Sequence, residues 1–133
     1  MGDMNKPSKV LVIDDDPGFV KVTRTMLESK GYDVEAAYNR DEAMKKVGTV
    51  KPDLILLDIM MEKLRDGFTI CYQLKHDPEL RKIPVLVVTA ITEKTGFKFS
   101  PTADGEYFQA DDFMEKPVKP SELLKRVEKL LRE

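Results

Sequence analysis

The sequence is poor in cysteine: Cys71 is the only one, so no internal disulfide framework can form, and a reducing location is favoured. No apolar run reaches the length that spans a bilayer, and the first eight residues contain no signal-peptide core. The formal net charge is only -2, which gives no electrostatic reason to bind nucleic acid. These absences predict a cytoplasmic protein that contacts neither membranes nor nucleic acid.

The 133 residues, of which 41% are hydrophobic, are enough for one domain with a real core. We expect residues 1–8 to be extended or disordered and residues 9–133 to form the domain. The chain ends with a predicted helix, so we expect no output domain after it.

Short apolar runs recur along the chain, at residues 10–13, 54–57 and 85–88. Such runs are typical of strands buried on both faces. Residues 33–37 and 112–115 are weaker strand candidates, and helical patterns begin at Pro17, near Asn39, at Asp66-Gly67 and near Pro120. The alternation predicts an α/β fold: a doubly wound, five-stranded parallel sheet in the flavodoxin-like order 2-1-3-4-5.

Residues 91–109 break this regular pattern, because glycine, proline and scattered aromatics replace a clean amphipathic helix. We therefore expect the fourth helix of the alternation to be atypical or partly replaced by a loop. Phe97, Phe99 and Tyr107 have two interpretations: they form a partner-docking patch, or they fold back onto the sheet.

Three carboxylates follow the first and third strands, which are neighbours in the predicted order. Asp14 and Asp15 end the first strand, Asp58 ends the third, and Asp16 is expected to cap the next helix. One aspartate after a strand is usually only a cap. Three that converge where open α/β sheets bind ligands predict a Mg²⁺ or Mn²⁺ site instead.

Thr89 and Lys116 end the fourth and fifth strands, at the same edge of the predicted sheet. Taken singly, they could be an ordinary β-branched strand residue and a solvated surface charge. Beside the acids, a hydroxyl and an ammonium group suit the oxygens of a phosphoryl group.

These residues and their context resemble the receiver domain of two-component response regulators. The matching motifs are Val12-Ile13-Asp14-Asp15, Asp53 through Met61, Asp66-Gly67, Thr89-Ala90 and Lys116-Pro117. Five motifs in the right order, spread over essentially the whole chain, make the resemblance specific.

The resemblance implies a role for each matching residue. Asp58 corresponds to the phosphoacceptor, and Asp14, Asp15, Asp58 and the backbone carbonyl of Met60 to the ligands of Mg²⁺. Thr89 corresponds to the switch hydroxyl, Lys116 to the phosphate-binding lysine and Phe113 to the switch aromatic. The Lys116-Pro117 bond corresponds to one that is cis in the family.

The implied function is that of a stand-alone receiver, which catalyses its own phosphorylation and slow dephosphorylation without being a conventional enzyme. The phosphoryl donor is a sensor histidine kinase or a phosphotransfer protein. The signal passes through the face formed by the fourth and fifth strands to an unidentified downstream protein. Met60 and Ile91 occupy the two positions that tune phosphoryl lifetime in the family, and both are apolar. We expect a monomer or a phosphorylation-dependent dimer.

Two departures from the family pattern stand out. The loop after Met61, Glu62-Lys63-Leu64-Arg65, is longer and more charged than usual, and the spacing from Thr89 to Lys116 is also longer.

Other functions remain as alternatives. A haloacid-dehalogenase-like phosphatase would use Asp14-x-Asp16 as its nucleophile motif, but the chain is short for that class. A flavodoxin-like nucleotide binder would need a Gly- or Ser/Thr-rich phosphate loop, which the sequence lacks. A receiver-fold scaffold that is never phosphorylated is the last alternative.

Overall fold

A computed structural model of the chain describes residues 7–58, 64–89 and 110–132. Five strands form one sheet in which every pair is parallel: β1 (Lys9–Ile13), β2 (Asp33–Ala37), β3 (Leu54–Leu57), β4 (Val85–Thr89) and β5 (Asp112–Glu115). Their order is β2-β1-β3-β4-β5. The predicted fold class and strand order are confirmed.

The described ranges contain the helices α1 (Pro17–Glu28), α2 (Arg40–Val50), α3 (Leu64–His76) and α4 (Pro120–Arg132), with a 3₁₀ turn at Leu80–Lys82. The prediction that α3 starts at Asp66-Gly67 was wrong, because the helix begins at Leu64. An acid and a glycine are tolerated in a first turn, whose amides lack intrahelical partners. The 3₁₀ turn was not predicted, since three residues are too few for a periodic signal. Residues 91–109, including the aromatics discussed above, lie outside the described ranges.

The sheet is covered on both faces because successive strand side chains point to opposite sides. Buried residues of β1, β3 and β4 alternate between two apolar clusters. One cluster packs against α2 and α3 and the other against α1 and α4. Within the described part of the chain, none of the helices combines the length and apolar composition that crossing a bilayer requires.

Helix α1 starts as the sequence predicts, with Asp16 as its N-cap. The Asp16 side chain accepts hydrogen bonds from the amides of Gly18, at 3.0 Å, and Phe19, at 3.3 Å. Asp16 is thus committed to the helix end. Its role as a helix cap distinguishes Asp16 from Asp14 and Asp15, which precede it in the sequence.

Lys75 links the last turn of α3 to the edge of the sheet where the strands begin, and its side chain is only 8% exposed. Its ammonium group donates to the carbonyl of Ile83 at 2.9 Å and to Asp111 Oδ2 at 2.6 Å. The same Asp111 oxygen accepts the amide of Val85 at 2.7 Å. The starts of β4 and β5 are therefore fixed to each other and to α3.

Two glycines predict opposite effects of the same substitution. Gly31 has φ +88°, where an added Cβ is strained although nothing lies within 4 Å of it, whereas Gly48 lies within α2 with equally open space. We expect Gly31→Ala to lower the free energy of unfolding by about 1 kcal/mol. Gly48→Ala should raise it by roughly 0.5–1 kcal/mol, because alanine is the better helix former. Urea unfolding measures both, and shifts of the same sign would contradict the backbone assignment.

Candidate functional site

Asp14 and Asp58 are side by side because the β1–β3 ladder continues one step past its last aligned pair, Ile13 and Leu57. The amide of Asp58 donates to the carbonyl of Ile13 at 2.9 Å, and the amide of Asp14 donates to Ala37 on the other side, at 3.1 Å. The two aspartates are 1% and 3% exposed. The backbone thus holds two carboxylates, nearly removed from water, at the carboxyl ends of the strands.

Asp15 completes an acidic trio at this edge. One carboxylate oxygen from each of Asp14, Asp15 and Asp58 lies within 4.8 Å of the others. All the donors are oxygens and all are acidic, which suits a hard divalent cation such as Mg²⁺ or Mn²⁺. The three residues that the sequence predicted as a metal site therefore have the proximity and the chemistry for one.

Lys116 reaches the same crevice from the end of β5. The preceding residue, Glu115, is aligned with Thr89, and the bond from Lys116 to Pro117 is cis, as the resemblance implied. Its ammonium nitrogen lies 2.7 Å from Asp14 Oδ2 and 3.4 Å from Asp58 Oδ2. The lysine therefore contacts an expected metal ligand more closely than the expected phosphoacceptor.

The charges of this crevice are balanced unevenly. Burial raises the pKa of Asp14 to about 6, and the Asp58 carboxylate adds to the rise, although hydrogen bonds from Lys116 and from the amide of Asp16 oppose it. Burial pulls the pKa of Lys116 down, but hydrogen bonds and charge from Asp14 and Asp58 outweigh it, so the net direction is upward. One ammonium group cannot compensate for two buried acids and a third that is half-buried, and this excess of negative charge favours a further cation.

A cavity of about 520 Å³ opens beside the acids. The acidic trio, Lys116 and the capping residue Asp16 line its polar side, and Phe19, Val22 and Met26 of α1 supply an apolar wall. The Lys116 ammonium sits over the Phe19 ring, 4.0 Å from its centroid. The sequence gave no sign of this contact, because it depends on how α1 meets the loop after β5.

The remaining predicted site residues are positioned less completely. Thr89 ends β4 at the expected edge, but its side chain lies outside what the structure describes, as do Met60 and Ile91. Phe113 is half-buried in β5, where it packs against the apolar cluster on the α2–α3 side, and its carbonyl accepts a 2.7 Å bond from Arg126. The described site therefore consists of Asp14, Asp15, Asp58 and Lys116.

Cys71 and His76 take no part in the crevice. Cys71 is buried in the core, and burial raises the pKa of its thiol to about 12, so the reactive thiolate is suppressed. The exposed His76 stacks on Tyr72 at the end of α3, with ring centroids 3.9 Å apart. Neither residue lines the cavity beside the acids.

Comparison with known proteins identifies the family. The model of the response regulator receiver domain matches residues 10–128. The chain is 43% identical over 129 residues to the alkaline phosphatase synthesis transcriptional regulatory protein PhoP of Bacillus subtilis, covering 97% of this chain and 50% of that protein. It is 38% identical over 124 residues to the DNA-binding dual master transcriptional regulator RpaA of Synechocystis sp., covering 93% and 49%.

A solved structure gives the same assignment. The crystal structure of the BeF3-activated N-terminal receiver domain of RstA from Klebsiella pneumoniae matches with a TM-score of 0.78 and 27% identity, covering 95% of this chain and 100% of that one. The chain spans about half the length of the curated relatives named above. From its sequence, its fold and the acids at the carboxyl edge of its sheet, the chain belongs to the response regulator receiver domain family.

Proposed function

We propose that the chain accepts a phosphoryl group on Asp58 in a reaction that depends on Mg²⁺ or Mn²⁺, with a sensor histidine kinase or a phosphotransfer protein as donor. Receiver domains act as phosphoacceptors rather than as conventional enzymes. The observation that carries the proposal is the Asp58 carboxylate, which is 3% exposed and lies 3.4 Å from the Lys116 ammonium and beside two further acids.

The transfer is an in-line displacement. An oxygen of Asp58 forms a bond to phosphorus while the phosphorus–nitrogen bond of the donor histidine breaks, and that bond's electron pair leaves with the imidazole. Lys116 donates to the transferring phosphoryl oxygens. Asp14, Asp15 and the backbone carbonyl of Met60 would hold the cation together with Asp58. The bound cation would supply neutralising charge at those oxygens.

The signal would leave through the face formed by β4 and β5. A phosphoryl group adds roughly one and a half to two negative charges to the crevice. In the proposed switch, the hydroxyl of Thr89 turns toward this group and Phe113 moves into the space that it vacates. The altered face is then bound by a downstream partner.

In this proposal a separate downstream protein recognises the switched face. The chain itself is a monomer or a phosphorylation-dependent dimer. PhoP and RpaA are transcriptional regulators by name and are about twice as long as the matched region. If the receiver is part of such a longer chain, the proposed target of its signal is a domain of the same polypeptide. A cytoplasmic location and the absence of direct nucleic-acid contact remain predictions.

The position of the Asp16 side chain argues against the phosphatase alternative, which was based on the motif Asp14-x-Asp16. That mechanism needs two acids, Asp14 and Asp16, to act together in the crevice, but the Asp16 side chain caps α1 through the amides of Gly18 and Phe19. The family assignment agrees with this geometry.

Incubation with acetyl phosphate and Mg²⁺, followed by intact-mass measurement, tests the proposal. The expected result is one added phosphoryl group that is lost in Asp58→Asn and when EDTA removes the metal. Asp53→Asn is the matched control, because Asp53 lies before the opposite end of β3, where its side chain accepts the amide of Lys9 at 2.8 Å. An unmodified wild-type chain would support the non-phosphorylated scaffold instead.

The phosphorylated form should hydrolyse slowly. Met60 and Ile91, the two positions that the family resemblance links to hydrolysis, are apolar residues and offer no polar side-chain group that could orient an attacking water. Met60→Asn should therefore shorten the half-life of the phosphorylated chain, because the asparagine amide can hydrogen-bond a water that methionine cannot hold. Equal decay rates of the two phosphorylated proteins, followed by mass, would reject this explanation.

A further inference from the structure

We propose that Phe19 is a positioning residue for Lys116, and that its ring face keeps the ammonium group in the crevice when the carboxylates are engaged with a cation. The inference rests on the proposed function, in which Lys116 serves the phosphoryl oxygens on Asp58. Neither the sequence motifs nor the family resemblance assigned Phe19 any part in the site.

The contact between Phe19 and Lys116 is built into the fold. The ring centroid lies 4.0 Å from Nζ, within the range in which a cation is attracted to the face of an aromatic ring. The Lys116 side chain is 15% exposed, so water competes weakly for the ammonium group. Phe19 is held in the first turn of α1, where its amide donates to the cap residue Asp16 at 3.3 Å. The helix cap therefore fixes the backbone that carries the ring.

The partners of Lys116 differ in what else they can bind. Asp14 Oδ2 and Asp58 Oδ2, at 2.7 and 3.4 Å from Nζ, belong to the same trio that suits a divalent cation. Carboxylates that coordinate such a cation have less negative charge to offer an ammonium group nearby. An aromatic ring does not compete for a hard cation, which prefers oxygen ligands. Phe19 is thus the partner that Lys116 retains both with and without a bound divalent cation.

The contact with Phe19 therefore determines where the Lys116 ammonium group points when a cation is bound. With Asp14 engaged elsewhere, the ammonium group would be free to swing out toward the open side of the 520 Å³ cavity. The ring of Phe19 restrains it beside Asp58, where the phosphoryl oxygens would arrive. Loss of the ring should therefore lower the phosphorylation rate by about fivefold to thirtyfold, the range that a partly desolvated cation–π contact represents.

Four replacements of the ring test this inference. Phe19→Tyr retains a ring that attracts cations, and 4-fluorophenylalanine weakens the attraction. Pentafluorophenylalanine keeps a ring of similar shape but removes the attraction, and Phe19→Leu removes the ring while keeping an apolar side chain. Tyr72→Leu is the matched control, since it also replaces an aromatic ring by leucine, but at a residue of α3 that is 55% exposed and does not line the cavity.

The first measurement is independent of phosphorylation. The rate at which an amine-specific reagent modifies Lys116 is compared with that of Lys119, with and without Mg²⁺. Lys116 should stay protected in the wild type and in Phe19→Tyr under both conditions. Phe19→Leu and pentafluorophenylalanine should lose protection about fivefold or more when Mg²⁺ is present.

The second measurement is the rate of phosphorylation by acetyl phosphate at saturating Mg²⁺. The rate of phosphorylation should fall in a graded way from phenylalanine through the fluorinated rings, and it should stay near the wild-type rate in Phe19→Tyr and in Tyr72→Leu. A flat series in both measurements, with wild-type phosphorylation intact and abolished by Asp58→Asn, would overturn the inference alone. If the wild type takes no phosphoryl group at Asp58, the proposed function fails instead.

Discussion

Replacing Lys116 with methionine is expected to slow phosphorylation by about a hundredfold or more, the usual effect of removing one preorganised donor from a developing anion. The same change should lower the free energy of unfolding without metal by about 3 kcal/mol, because it removes the ammonium group that contacts two buried acids. The acids concerned, Asp14 and Asp58, have side chains only 1% and 2% exposed. Stopped-flow phosphorylation and urea unfolding give the two values.

Although Lys116→Met should lose phosphorylation rate and metal-free stability, its affinity for Mg²⁺ should increase. Lys116 is a cation that already occupies one oxygen of Asp14, so its removal should tighten Mg²⁺ binding and let Mg²⁺ recover most of the lost stability. Lys119→Met is the matched control, since Lys119 is exposed on the same loop and should change none of these quantities. If Lys116→Met is phosphorylated at the wild-type rate, Lys116 does not assist the transfer.

Replacing Asp14 with asparagine is expected to stabilise the metal-free chain while removing its response to Mg²⁺. The pKa of Asp14 in the folded chain is raised from 3.8 to about 6, so ionising this group disfavours folding. The stability associated with its protonated form is complete below pH 4 and is lost as the pH rises through about 6. At pH 7.5 the loss approaches about 3 kcal/mol, and we expect Asp14→Asn to recover roughly 1–2 kcal/mol of it.

Two controls separate this effect from a general loss of charge. At pH 4.5 the stability gap between Asp14→Asn and the wild type should shrink, because the wild-type carboxyl is then mostly protonated. Asp16→Asn removes an acid two residues away, but asparagine caps a helix about as well as aspartate, so stability and the Mg²⁺ response should persist. An Asp14→Asn variant that still gains thermal stability from Mg²⁺ would contradict the assignment of Asp14 to the metal site.

The fold was predictable because its signals are local and repeated. The run Leu54–Leu57 is too short and too uniformly apolar for a surface strand, and Asp16-Pro17 gives the start of α1. Once right-handed crossovers fix the strand order, Asp14 and Asp58 must meet, since each directly follows its strand. The convergence of the acidic trio was therefore readable from the sequence.

The interior of the site was less predictable. Lys116 and Asp14 are 102 residues apart, and which acid the ammonium group approaches depends on side-chain packing, not on spacing. The contact between Phe19 and Lys116 arises in the same way, from the approach of α1 to the loop after β5. The start of α3 was misplaced because Asp66-Gly67 is a strong local start signal, whereas the helix gains one more half-turn at Leu64.

Locating the phosphoryl group tests the central claim most directly. The chain is incubated with acetyl phosphate and Mg²⁺, the acyl phosphate is reduced with borohydride to convert the modified aspartate to homoserine, and the peptides are sequenced by mass spectrometry. We expect homoserine at position 58, formed only with Mg²⁺ and absent when EDTA is present. Homoserine at position 14 or 15, or equal modification without the metal, would contradict it.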